Sequence, residues 1–165
     1  MLKPGAALVT GGAVRLGRAM AIALAEDGWD VAINHVSSGE ESEALANEIR
    51  ALGRKAAALQ ADLLDEEATS ALIGRAADAL GQPLTCLINN ASIFEYDTIQ
   101  TATRVSWDRH FESNLRAPFV LTQAFAAQLP VAAQDNLGEP IASGLVVNMI
   151  DQRVRKLTPE FMTYT

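Results

Sequence analysis

The residues with the clearest chemical potential lie close to the start of the chain, at Thr10, Gly11, Gly12 and Gly17. Glycines at this spacing let a turn reach positive φ and let a ligand approach the backbone closely. The turn follows a short apolar run, Ala6 to Val9, and opens a segment in which Met20, Ala21, Leu24 and Ala25 recur at helical spacing. A helix beginning there directs unpaired N–H groups and the positive end of its dipole at whatever lies above the turn, a seat for a pyrophosphate. Arg15, within the turn, adds a fork of donors suited to phosphate oxygens.

These groups need a strand, a helix and a second strand to hold them. Gly28 closes the helix, and Trp29 to Ile33 forms the next apolar run. A right-handed crossover of this kind makes a parallel strand pair and places the helix N-terminus at the carboxyl end of the first strand. In nucleotide-binding units an acidic residue ending the second strand accepts the ribose 2′-hydroxyl of NAD and repels a 2′-phosphate. Here Asn34-His35-Val36-Ser37-Ser38 occupies that place without a carboxylate. The chain is therefore expected to prefer NADP, with Arg15 for charge, Ser37 or Ser38 as hydroxyl donor and His35 assisting through its ring.

Further along, Glu40 to Leu52 reads as a helix, Ala56 to Gln60 as a strand and Asp65 to Leu80 as a helix ending at Gly81. Leu84 to Ile88 is a fourth strand that ends in Asn89-Asn90-Ala91-Ser92, and Ile93 to Thr103 reads as a loop. Trp107 to Ala127 contains a long helix in which Pro118 predicts a kink. Residues 134–144 are turn-rich, Leu145 to Ile150 is a fifth apolar run, and the last fifteen residues look like a loop entering a helix. Strands alternating with helices predict an α/β, doubly wound parallel sheet, with residues 1–165 forming one domain.

Composition narrows the class. Hydrophobic residues make up 49% of the 165 and charged residues 20%, the balance of a folded globular domain. No apolar run reaches the roughly 20 residues that span a bilayer, and no cleavable leader is evident before the first strand, so a cytoplasmic protein without a membrane partner is expected. A formal charge of -7 argues against a nucleic-acid surface. The one cationic cluster, Arg153, Arg155 and Lys156, reads as a solvated loop or a local anion contact. Cys86 is the single cysteine, which excludes a disulfide framework and suggests a buried core position. No metal site is expected.

Thr10, Gly11, Arg15 and Gly17 form a TGxxxRxG turn, which resembles the pteridine reductase branch of the short-chain dehydrogenase/reductases. The resemblance implies a Rossmann-like fold, with NADP bound by Gly11, Arg15, Leu16 and Gly17 and by His35, Ser37 and Ser38. It implies adenine contacts at Asp62 and Leu63; by itself Asp62 is only a helix-capping candidate. Asn90, Ala91 and Ser92 resemble the NNAG motif under the nicotinamide, with serine in place of glycine. Asn114 matches the family's catalytic asparagine by context. Asp151 stands where most members carry serine, and Tyr164 follows thirteen residues later, as in pteridine reductases. The family's lysine would fall at position 168, beyond Thr165, so the resemblance covers the N-terminal two thirds of a typical member, and the domain is expected to be incomplete at its C-terminus.

The implied chemistry is hydride addition to a C=N bond of a pterin with proton delivery to its nitrogen. A phenol such as Tyr164 would supply the proton, oriented by Asp151. Ser92 and Phe94 would contact the substrate, Phe94 stacking on its ring. Two alternatives stand beside this one: a general carbonyl or 3-oxoacyl reductase, and a catalytically inactive NADPH-binding or sensing protein. The resemblance further implies a homo-oligomer, commonly a tetramer, built partly on the Trp107 to Ala127 helix.

Overall fold

The computed structural model describes residues 3–165. Four strands, β1 (Ala6–Val9), β2 (Asp30–His35), β3 (Ala56–Gln60) and β4 (Leu84–Asn89), alternate with α1 (Arg15–Glu26), α2 (Gly39–Ala51) and α3 (Glu66–Leu80). The chain continues through α4 (Arg104–Phe111), a π-helical turn (Glu112–Arg116), α5 (Ala117–Gln128) and β5 (Leu145–Asn148). The five strands pair in parallel, in the order β3-β2-β1-β4-β5. The chain therefore leaves β1 on one side to build β2 and β3, and returns on the other side to build β4 and β5. Such a reversal opens a crevice at the carboxyl ends of β1 and β4.

Side-chain alternation along the strands divides the core between the two faces of the sheet. Ala6, Leu8 and Ala32 pack with Leu72, Ile73 and Ala76 of α3 and Leu121 and Phe125 of α5. Ala7, Val9, Val31 and Ile33 pack instead with Ala21 and Ala25 of α1 and Leu45 and Ile49 of α2. Burying each large aliphatic side chain contributes about 1.5–3 kcal/mol. Strict alternation fails once, in β4. Ala6 pairs with Leu84 and Ala7 with Cys86, so Thr85 is an extra residue, and Leu84 and Leu87 reach one face while Cys86 and Ile88 reach the other. Burial pushes the Cys86 thiol up to about 11, the behaviour of a small apolar core residue.

The helix ends show which expectations needed correction. Asp65, not Asp62, caps α3: its carboxylate accepts the Ala68 N–H at 3.0 Å, while Asp62 accepts the Leu64 N–H at 3.0 Å in a local turn. Asp65→Ala is expected to cost about 1 kcal/mol in a urea unfolding titration, whereas Asp62→Ala leaves the midpoint nearly unchanged. The single helix expected over Trp107 to Ala127 instead begins at Arg104, where Thr103 and Ser106 form a capping box. Its irregularity falls just before Pro118 rather than at it. Proline has no N–H and its ring crowds the carbonyl four residues earlier, so the chain widens over Glu112–Arg116 and α5 restarts with Pro118 in its first turn. The last apolar run gives a strand ending at Asn148. Beyond it stand a three-residue 3₁₀ turn, Gln152–Val154, and a further turn in which Thr165 N–H donates to Phe161 O at 3.0 Å.

Candidate active site

The glycine turn is fastened to β4 by two side chains. Thr10 Oγ1 accepts the N–H groups of Asn90 (2.9 Å) and Ala91 (3.0 Å), and Asn90 Nδ2 donates to Thr10 O (2.9 Å) and Gly11 O (3.1 Å). Gly11 sits at φ +58, and a Cβ there would lie 3.1 Å from Ala91 Cα. A Cβ on Gly17 would lie 2.2 Å from Gly11 O. The buried Asn34 completes the knot: its Nδ2 donates to Ala61 O (3.0 Å) and its Oδ1 accepts the Gly11 N–H (3.4 Å), joining the ends of β1, β2 and β3. Thr10 and Asn34 were named in the sequence as parts of the turn and of the strand end, but neither was expected to tie the strand ends together. The available signal was a polar side chain ending an otherwise apolar strand, which must find partners once buried.

Val14 precedes α1 without a side-chain cap, and no acidic residue lies in that helix's first turn. The first N–H groups therefore remain available to an anion. Arg15 holds φ +52, a left-handed backbone in which a glycine would be unstrained. Its guanidinium has no ion-pair partner among the described residues, unlike Arg18, which grips Glu48 at 2.6 Å. A cleft of about 260 Å³ is lined by Gly11, by Asn34, His35 and Val36, by Asp62, Leu63 and Leu64, by Ala91, Ser92 and Ile93, and by Arg109 and Ser113. Asp62 is the only carboxylate in that lining. The buried His35 Nδ1 has no hydrogen-bond partner among the described residues. Ser37 is exposed, and Ser38 leads into α2 without capping it. Leu63 faces the cleft but is packed into the core. Leu16, 64% exposed, lies outside the cleft lining.

Asn114 has both polar ends occupied: Oδ1 accepts the Ile93 N–H (2.8 Å) and Nδ2 donates to Ile93 O (2.9 Å). It thereby fixes the loop that presents Ser92 and Phe94. The Tyr164 ring meets Phe94 edge-on at 4.8 Å. Burial and then the Asp151 charge hold the Tyr164 phenol above its usual range, while the Ser92 hydroxyl pulls the other way. Four of the expected residues, Ser92, Phe94, Asp151 and Tyr164, are thus brought together from three separate stretches of chain. Asp151 also accepts the Arg153 N–H at 2.9 Å, fixing the 3₁₀ turn. One face of the Phe94 ring, expected to stack on the substrate, is covered by Phe161, parallel within 7° at 4.2 Å, while the ring remains 49% exposed. Arg153, expected in a solvated loop or at an anion, instead places its guanidinium 4.9 Å from the Phe94 centroid and 4.7 Å from that of Phe161. Phe161 gave no sequence signal.

A doubly wound parallel sheet whose glycine turn opens a cleft at the switch between β1 and β4 defines a Rossmann-like, dinucleotide-binding type of domain. The chain belongs to the short chain dehydrogenase family, whose model matches residues 5–164. It is 35% identical over 123 residues to 3-oxoacyl-acyl-carrier-protein reductase FabG of Staphylococcus aureus, a match covering 74% of this chain and 50% of that one. Among solved structures it is similar to FolM alternative dihydrofolate reductase 1 of Brucella canis, complexed with NADP, at 41% identity and a TM-score of 0.88, covering 100% of this chain and 63% of that one. A short chain dehydrogenase of Burkholderia cenocepacia in complex with NADP shares 35% identity with a TM-score of 0.83, covering 96% and 60%. The chain thus spans about half the length of the FabG relative and under two thirds of these structures. No helix among the described residues is long and apolar enough to cross a membrane.

Proposed function

We propose that this chain forms the coenzyme-binding and substrate-facing part of an NADPH-dependent reductase acting on a pterin, taking a dihydropteridine to the tetrahydro form. The carrying observation is the convergence of Ser92, Phe94, Asp151 and Tyr164, with Ser92 lining the same cleft as Gly11. The residues fit the coenzyme: Gly17 lets α1 begin directly against the backbone of Gly11 and Gly12 where a Cβ would clash, α1 is uncapped, and no carboxylate ends β2. Arg15, Ser37, Ser38 and His35 would hold the 2′-phosphate, and Asp62 the adenine edge. When bound, NADPH supplies the hydride. Tyr164 donates a proton to the substrate nitrogen, and Asp151 orients either the phenol or the amino-pyrimidine edge.

The resemblance to the Brucella FolM dihydrofolate reductase supports a pterin-type substrate. The identity to FabG favours a 3-oxoacyl reductase as the second reading, against which Asp151 in place of serine counts. The deciding measurement is the absorbance of NADPH with dihydrobiopterin, dihydrofolate or a simple ketone added to the full-length protein. Oxidation with either pterin and little with the ketone is the expected result; turnover of the ketone alone would favour the second reading. No turnover with retained NADPH binding would favour the inactive binding protein.

Arg15→Gly separates the residue's charge from its backbone. Relief of the left-handed strain is expected to stabilise the fold by about 1 kcal/mol, seen as a raised Tm. Loss of a charge-assisted phosphate contact lowers the preference for NADPH over NADH about tenfold or more, read from the two Kd values.

One further feature supports a homo-oligomer. Trp107, Phe111, Leu115 and Phe119 recur every four residues and are 50%, 41%, 61% and 56% exposed, an apolar stripe suited to a second copy. Leu115→Glu is expected to reduce the mass measured by light scattering to that of a smaller assembly. A cytoplasmic location agrees with the lone, buried thiol of Cys86.

A further inference from the structure

Behind the aromatic cluster lies a buried polar knot that neither the glycine turn nor the cleft uses. Asp97 is 3% exposed, His110 2% and Thr163 7%, and they come from the loop after β4, the end of α4 and the turn carrying Tyr164. The Thr163 hydroxyl donates to Asp97 Oδ2 at 2.6 Å, and the Thr163 N–H donates to Asp97 Oδ1 at 3.1 Å. The same hydroxyl lies 2.7 Å from His110 Nδ1. His110 Nε2 accepts the Glu95 N–H at 3.1 Å, which assigns the ring proton to Nδ1, within reach of Thr163 Oγ1 and of Ser106 O at 2.9 Å. The Phe161 N–H donates to Asp97 O at 2.8 Å.

The grip falls next to the reacting groups. Glu95 follows Phe94 and Thr163 precedes Tyr164, so the knot holds the chain one residue away from each of two rings that meet at 4.8 Å. A buried carboxylate is costly unless its lone pairs are used. Burial opposes the Asp97 charge, yet the bonds from the Thr163 hydroxyl and N–H keep its carboxyl below the usual range. Apolar packing could also hold these segments together, but it would tolerate sliding. A fully bonded polar knot accepts one register, because any slip leaves a buried group unpaired.

We infer that Asp97, with Thr163 and His110, is a positioning residue: it sets the Tyr164 phenol against Ser92, Asp151 and the substrate ring beside Phe94. The inference rests on the reading of Tyr164 as the proton donor. A displacement of about 1 Å at a proton-transfer geometry costs on the order of a hundredfold in rate.

The test compares Asp97→Asn, Thr163→Val and Thr163→Ser in the full-length protein. Thr163→Val and Asp97→Asn are expected to lower kcat for pterin reduction about tenfold to a hundredfold, with NADPH Kd within about twofold of wild type. Thr163→Ser, which keeps the hydroxyl, restores the rate. In fluorotyrosine-labelled protein, the fluorine NMR resonance assigned to Tyr164 shifts in Thr163→Val and titrates closer to the free phenol. That second measurement needs no turnover, so a wild-type protein inert toward pterins would remove the substrate reading while the resonance still decided this one. Unchanged kcat and resonance in Thr163→Val would overturn the proposal. So would a rate loss matched by an equal loss of NADPH binding, the signature of simple unfolding.

Discussion

Gly17→Ala is expected to weaken NADPH binding about tenfold to a hundredfold and to cost about 1–3 kcal/mol of stability. The added methyl would lie 2.2 Å from Gly11 O, 2.8 Å from Gly12 Cα and 2.8 Å from Asn90 Nδ2. Two of these are backbone atoms, and the third belongs to the amide that ties the turn to β4. No flexible side chain can move aside to absorb the strain. The damage therefore falls on the loop proposed to hold the pyrophosphate and on the knot at Asn90. Gly74→Ala, in α3 with nothing within 4 Å of its added carbon, is the matched control. It is expected to stabilise the helix by about 0.5–1 kcal/mol. Nucleotide fluorescence titration and thermal unfolding of the pair separate steric loss at the site from a general effect of replacing glycine. Equal NADPH affinity in Gly17→Ala and wild type would show that the coenzyme does not use this turn.

Tyr164→Phe is expected to lower kcat for pterin reduction by about a hundredfold to ten-thousandfold, the usual reach of a positioned acid. The ring stays to pack against Phe94, so KM changes little and the loss falls on the chemical step. The phenol's raised pKa gives this prediction a pH signature. Burial and the Asp151 charge favour the protonated form, so the donor persists through the neutral range. The wild-type rate should then hold until pH climbs through the phenol's own titration above 10 and fall beyond it. Because the folded pKa is raised, the stability linked to this group is complete below pH 10 and lost as pH rises through the folded value. Asp151→Asn removes the charge that helps hold the phenol up, so it should move the alkaline limb of the rate profile downward. Tyr164→Phe retaining the full wild-type rate would remove the proposed role.

Sequence pattern was a good guide wherever local physics decided the outcome. The short apolar runs gave five strands, of which β1, β2 and β4 are largely covered and β3 and β5 lie at the more open edges, and the glycine turn was recognisable because a strand, a turn and a helix stand in direct succession. Helix boundaries were less secure. Asp62 read as a capping candidate and Asp65 as the first helical residue, whereas the Asp65 carboxylate takes the Ala68 N–H and Asp62 turns onto the Leu64 N–H. Pro118 announced an irregular helix, yet the strain is relieved upstream, where five residues widen to spare the Asn114 carbonyl.

The residues themselves fixed the βαβ order, the absence of an acid at the end of β2 and the spacing of Asp151 and Tyr164, all of which are properties of neighbours in the chain. Tertiary structure alone decided that Asn90 and Asn34 spend their amides on backbone, that Asn114 holds Ile93, and that Phe161 and Arg153 close over Phe94. The same holds for the Asp97, His110 and Thr163 knot, whose members stand up to 66 residues apart. A buried polar group must be satisfied by whatever the fold brings within about 3 Å, and no local pattern records which distant group that will be.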